Sequence, residues 1–130
     1  MISIESFGWR HPGALDIVKG DALVFDLAEK LHDPNVAGSP LQHMTGLDDE
    51  VYDHVMATGG ARSLFAKFAH RVITLHYTGG ADIRVLIACR GGRHRSVVAA
   101  RAVAEYLELW GVPVKVTHHH VRREVLPPVA

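Results

Sequence analysis

Cys89-Arg-Gly-Gly-Arg-His-Arg-Ser96 gathers a thiol, three guanidiniums, an imidazole and a hydroxyl around a glycine pair. An apolar run, Ile83 to Ala88, leads into this segment, and an alanine-rich run, Val97 to Trp110, leads out of it. Strand, glycine turn and helix in that order aim backbone N–H groups at an anion. Gly91 and Gly92 have no Cβ, so their backbone can approach a ligand closely. The helix that follows starts with unpaired N–H groups and a partial positive charge. Arg93 and Arg95 can add bidentate, charge-assisted bonds to phosphate. His94 can donate when protonated, and Ser96 can cap the helix or offer its hydroxyl. The spacing predicts a phosphate site, with Arg95 as its main side-chain holder and Arg93 and His94 as further contacts.

The same residues admit a sharper chemistry. Cys89, five residues, Arg95 and Ser96 match the Cys-x5-Arg-Ser loop of cysteine-dependent phosphatases. There a thiolate attacks phosphorus while the loop N–H groups and the arginine hold its oxygens. Ala88 stands where those enzymes carry histidine, and no Trp-Pro-Asp-like loop supplies a general acid, although Asp26, Asp48 and Asp49 are available. A non-catalytic binding site is the leading reading and the phosphatase is the alternative.

Such a loop needs a sheet to hold it. Residues 2–7 alternate apolar and polar and read as a strand. Ala22 to Leu27 and Ile83 to Ala88 read as buried strands, and Val112 to Thr117 as a last one. Residues 8–21 and 29–45 read as loops, the second long enough to suggest a function. Asp48 is positioned to cap a helix running to about Thr58, with Val51, Val55 and Met56 inward. A longer helix is expected from Ala61 to Tyr77, with Leu64, Phe65, Phe68, Ala69, Val72 and Ile73 as its inner face. A third is expected over His94 to Trp110, with Val97, Ala100, Ala104 and Leu107 inward and Arg101, Glu105 and Glu108 wet. The pattern predicts an α/β fold: one domain over residues 1–130, a mainly parallel sheet and flanking helices. In such sheets ligands bind beyond the carboxyl ends of the strands. Ser6, Gly8, Asp26, Thr45 and Gly46 are therefore expected to share a rim with the 89–96 loop.

The bulk composition narrows the classes. The chain has 130 residues, 48% of them hydrophobic, so it suits one core and not disorder. Fourteen Lys and Arg balance 14 Asp and Glu, which argues against sequence-independent nucleic-acid binding by the whole surface. One cysteine excludes an intrachain disulfide and fits a reducing, cytoplasmic setting. No apolar run approaches the length of a membrane span. His118-His119-His120 cannot turn three rings toward one ion if extended, so neither a metal nor a cofactor is expected. Trp9, Trp110 and Phe68 read as core or interface.

Several segments together carry a resemblance. Cys89-Arg-Gly-Gly-Arg-His-Arg-Ser-Val97 resembles the Cys-x-Gly-Gly-Lys/Arg-His-Arg-Ser-Val signature of the C-terminal domain of RapZ-type RNase adapter proteins. Glu5-Ser6-Phe7-Gly8, Val24-Phe25-Asp26 and Met44-Thr45-Gly46-Leu47-Asp48 resemble the family's corresponding motifs in the same order. His118 falls on the family's histidine after the last strand. The resemblance implies a fold similar to a phosphofructokinase subdomain and a phosphosugar ligand such as glucosamine-6-phosphate, or a nucleotide-sugar. It further implies binding of small RNA, presentation of that RNA to an endoribonuclease, and self-association into a homo-oligomer. Family members carry a preceding P-loop domain; no Gly-x4-Gly-Lys-Ser/Thr occurs here, so a fragment or a stand-alone version with a separate P-loop partner is expected. By the same resemblance the 89–96 loop takes the phosphate, and Asp26, Thr45, Gly46 and His32 line the sugar half. The family's Asp-Val-Arg-Phe-Leu-Pro-Asn-Pro stretch departs here to Asp26-Leu-Ala-Glu-Lys-Leu-His-Asp-Pro34, without the arginine or the Asn-Pro pair. Arg122 and Arg123, with Arg10, Arg93 and His118, are the residues left to contact RNA.

Overall fold

A computed structural model describes residues 1–31, 33–79 and 82–127. Four strands, β1 (Ile2–Gly8), β2 (Leu23–Asp26), β3 (Ile83–Cys89) and β4 (Val114–His118), form one sheet in the order β2-β3-β1-β4. Every neighbouring pair is parallel. All four carboxyl ends therefore lie on one rim, which brings Gly8, Asp26, Cys89 and His118 to the same edge.

The alternation in β1 is the reason for its register. Ile2 and Ile4 are fully buried against the helices, and Val85 and Ile87 of β3 share that face with them. Three helices cover this face: α2 (Asp49–Met56), α3 (Ala61–Gly79) and α4 (Arg95–Leu109). Val51, Val55 and Met56 are buried as the periodicity requires, and Phe65, Ala69, Val72 and Ile73 seat α3. Leu64 and Phe68 are only partly buried, and Phe68 stacks on Phe25 with ring centroids 3.9 Å apart.

Helix α4 departs from the single stripe read in its sequence. Ten of its residues are buried, because it packs on β1, β3 and β4 while α2 and α3 contact it as well. Small side chains at Ala99, Ala100, Ala102 and Ala104 fit that close packing. The helix ends in a Schellman arrangement: Gly111 has φ 78°, its N–H donates to the Glu108 carbonyl, and Val112 N–H reaches the Leu107 carbonyl.

The opposite face is covered differently. The 9–22 segment, read as loop, contains a single helical turn, α1 (Ala14–Ile17). Ala14, Ile17 and Val18 pack there with Phe7, Leu86 and Ala88. Arg84 fastens the segment to the sheet: it forks onto Glu5 at 2.6 and 3.3 Å and donates to the carbonyls of Ile17 (2.6 Å) and Lys19 (2.9 Å). Burial pushes the Glu5 carboxyl up, but the bonds from Arg84 and His119 outweigh it and hold the group below the usual carboxylate range. No helix among the described residues is long and apolar enough to cross a membrane.

Candidate functional site: the loop after β3

The connections leaving β1 and β3 part over opposite faces of the sheet. The 9–22 segment goes to one face and α4 to the other, which makes the crevice between these strand ends the place where an α/β sheet offers a ligand site. Two glycines meet there. Gly92 has φ 69°, and a Cβ on it would lie 2.5 Å from Gly8 N. A Cβ on Gly8 would lie 2.3 Å from the Gly91 carbonyl carbon. Backbone thus packs directly on backbone, and the contact is extended by Trp9 N–H to Cys89 O and Arg10 N–H to Arg90 O, both 3.0 Å. Gly46 plays the same part against α4, where a Cβ would strike Val97 Cβ at 2.6 Å.

Cys89 closes the inner wall at 3% exposure. Its sulfur accepts from Gly92 N–H and the thiol donates to Ser96 Oγ, each at 3.2 Å. Ser96 itself is fully buried. The turn is therefore folded around the sulfur. His94 occupies the N-cap position of α4 but makes no side-chain cap bond, so the first-turn N–H groups of that helix receive no cap from it. The His94 ring is buried and donates from Nε2 to the Leu41 carbonyl (3.1 Å). Burial pushes its pKa down, so the ring is neutral at neutral pH.

The arginines are spent mainly on carbonyls. Arg95, 2% exposed, donates from Nη1 to Leu27, Ala28 and Lys30 and from Nη2 to Asp33 at 3.1 Å. Its Nε is buried without a partner among the described residues. The spacing cast Arg95 as the holder of the phosphate; the geometry makes it the anchor of the loop after β2, because that loop passes beside α4 and presents three carbonyls. Arg93 reaches the carbonyls of His43, Met44, Val121 and Arg123. It ties the 43–46 segment and the C-terminal segment to the turn.

The other expected residues fall on the rim in different roles. Asp26 accepts from Trp9 Nε1 and Ala28 N–H, both 2.9 Å. Thr45 is buried; its N–H donates to Asp48 and its hydroxyl accepts from Leu47 N–H. Ser6 lies fully buried under the helix layer, 2.6 Å from His118 Nδ1, and burial pushes His118 below its ordinary pKa. His118 is thus turned inward, away from the exposed Arg122 and Arg123. The three consecutive histidines go to three partners, Ser6, Glu5 and the Gly8 N–H. His32 lies outside the described residues.

Several residues went unread. Asn35 and Asp33 face the turn from the loop after β2, and residues 124–126 face it from the C-terminus; together they leave a cavity of about 20 Å³ beside Cys89, Gly91, Arg93 and His94. The Pro34-Asn35 pair was the available signal for Asn35, since it repeats the Pro-Asn of the motif that otherwise departs. Nothing in the tail's composition marked it as a roof. A far larger groove, about 910 Å³, lies between α3 and α4 around Tyr106 and Trp110. Its walls are mainly apolar and Lys67, His70 and Arg71 belong to it; polar groups do not converge there as they do at the rim, and convergence is what fixes a ligand.

The family model of the RapZ C-terminal domain matches residues 1–122. A nucleotide-binding protein of Nitratidesulfovibrio vulgaris (strain DP4) is 35% identical over 124 residues, covering 92% of this chain and 39% of that protein. A nucleotide-binding protein of Staphylococcus epidermidis (strain ATCC 12228) is 33% identical over 128 residues, covering 95% and 40%. One from Symbiobacterium thermophilum is 31% identical over 126 residues, covering 94% and 40%. The chain thus spans about 40% of the length of these relatives. With its four motifs at one rim and its match running from the first residue to the C-terminal segment, the chain belongs to the RapZ C-terminal domain family.

Proposed function

We propose that this domain is a non-catalytic sensor that binds a phosphorylated metabolite, a phosphosugar such as glucosamine-6-phosphate or a nucleotide-sugar, on the 91–96 turn. The observation that carries the reading is the turn itself. Two glycines bring backbone against the end of β1, and the start of α4 has no side-chain cap. A buried Arg95 Nε lacks an acceptor. Helix-start N–H groups without a side-chain cap, and one guanidinium N–H without an acceptor, suit a phosphate. The nucleotide-binding names of the relatives fit a phosphate-bearing ligand. Asp26, Thr45, Gly46 and Asn35 stand around the turn where a sugar would extend.

The phosphatase alternative is weaker on geometry. Arg95 directs both terminal nitrogens to the loop after β2, and the Cys89 sulfur is occupied by Gly92 N–H and Ser96. Calorimetric titration with glucosamine-6-phosphate, with a uridine-diphosphate sugar and with unphosphorylated glucosamine tests the reading. Saturable heat is expected from at least one phosphorylated ligand and none from glucosamine. No binding of either phosphate compound at millimolar concentration refutes it.

A second reading, contact with small RNA, draws on the exposed Arg10, Arg122 and Arg123 beside the same rim. It requires affinity that falls steeply with salt and weakens when Arg122 and Arg123 become alanine. Presentation of that RNA to an endoribonuclease and self-association belong to the same proposal, and sedimentation of the chain with and without RNA tests them.

A further inference from the structure

We propose that residues 123–127 form a removable strap that holds the 91–96 site shut, and that Arg93 is the latch which exchanges a strap carbonyl for ligand. The inference rests on the phosphate reading for what enters, but not for the existence of the strap.

The segment crosses the mouth of the site without regular secondary structure. Glu124, Val125 and Leu126 form one wall of the cavity beside Cys89, Gly91, Arg93 and His94. At about 20 Å³ that cavity has room for roughly one water and none for a phosphate ester. Glu124, an acidic residue, lines the cavity of a site read as anion-binding. The closed strap therefore excludes an anion twice, by volume and by charge.

What holds the strap is three side chains from other segments. Arg10 Nη1 donates to the Pro127 carbonyl at 2.6 Å, Asn35 Nδ2 to the Leu126 carbonyl at 2.9 Å, and Arg93 Nη1 to the Arg123 carbonyl at 3.1 Å. All three acceptors are neutral backbone carbonyls. Arg93 belongs to the turn itself, so lifting the strap would take the Arg123 carbonyl from its Nη1 and leave that donor only the longer contact to the Val121 carbonyl (3.5 Å), beside the incoming phosphate. A phosphate adds a full opposite charge that a neutral carbonyl lacks, so the ligand can outcompete the carbonyl for this donor. The strap is thin, partly exposed and fastened by few bonds, which places it among the segments that open locally without global unfolding.

Cys89 lies under the strap and is the chain's one thiol, so its alkylation by iodoacetamide, a small uncharged probe, reports opening with no ligand present. Two variants of the 130-residue chain loosen the strap by different routes. Arg10→Ala removes the fastener at Pro127, and Glu124→Gly/Val125→Gly/Leu126→Gly removes the wall. Alkylation is expected to quicken roughly tenfold in both, with an unchanged thermal midpoint, and glucosamine-6-phosphate to bind tighter by a similar factor, because a closed majority reduces apparent affinity by the open fraction. An unaltered alkylation rate in both folded variants overturns the strap. Faster alkylation with no phosphate-ester binding by any version upholds the strap and sinks the phosphate reading instead.

Discussion

His120 makes folding of this domain sensitive to acid. The ring is 3% exposed, its Nδ1 accepts the Gly8 N–H at 2.9 Å, and its centroid lies 4.7 Å from that of His11. Protonation would put a proton on Nδ1, facing another donor. Burial first, then the charges of His11, Arg123 and His119, push its pKa from 6.5 down to about 4. The unfolded chain therefore binds a proton on this ring between about pH 6.5 and 4 while the folded chain does not, so stability falls as pH drops through that window. The loss from this residue is about 2 kcal/mol between about pH 7 and pH 5 and about 3 kcal/mol once pH reaches about 4. His120→Asn isolates it, because the asparagine Oδ1 can take over the Gly8 N–H without titrating. Urea unfolding of both proteins across this range measures the slopes. His11, His94 and His118, also lowered by burial, keep their share in both. The wild type is expected to lose about 2 kcal/mol more than the variant between about pH 7 and pH 5. Equal losses would refute the placement of a neutral His120 beneath the Gly8 amide.

Gly92→Ala should cost about 2–4 kcal/mol in urea unfolding, since its Cβ would meet Gly8 N at 2.5 Å from a backbone with φ 69°. Arg95→Met should cost about 3 kcal/mol and raise hydrogen exchange selectively over residues 27–33, because the carbonyls of Leu27, Ala28 and Lys30 lose their donor together. Gly111→Ala should cost about 1 kcal/mol by thermal melting, as the Schellman turn needs φ 78° there. Arg84→Leu should leave the rim intact but speed proteolysis after Lys19, since two carbonyls of the 9–22 segment, those of Ile17 and Lys19, lose their common anchor.

Periodicity made most of this fold legible. The alternation of β1, the apolar run of β3 and the inner face of α2 are local patterns, and each survives in the structure within a residue or two. The turn at Ala14–Ile17 was not legible because a four-residue helix has no period to detect. Burial of α4 on nearly all sides was not legible because it depends on which helices flank it. The rim was legible for a different reason: once the strands were read as parallel neighbours, their carboxyl ends had to converge.

What spacing could not disclose is which way a guanidinium turns. Arg93 and Arg95 read as two ligands for one anion, yet both spend themselves on carbonyls of distant segments, Arg95 on residues 27–30 and Arg93 on residues 43–44, 121 and 123. A positively charged loop needs acceptors even when empty, and in a small domain the nearest acceptors are the carbonyls of irregular neighbouring chain. The same side chains can thereby do two jobs, holding the loops in place without ligand and offering donors when a stronger acceptor arrives. On the phosphate reading proposed above, the Gly91–Gly92 backbone would carry the specificity, and the arginines would set how much structure must be given up to admit the ligand.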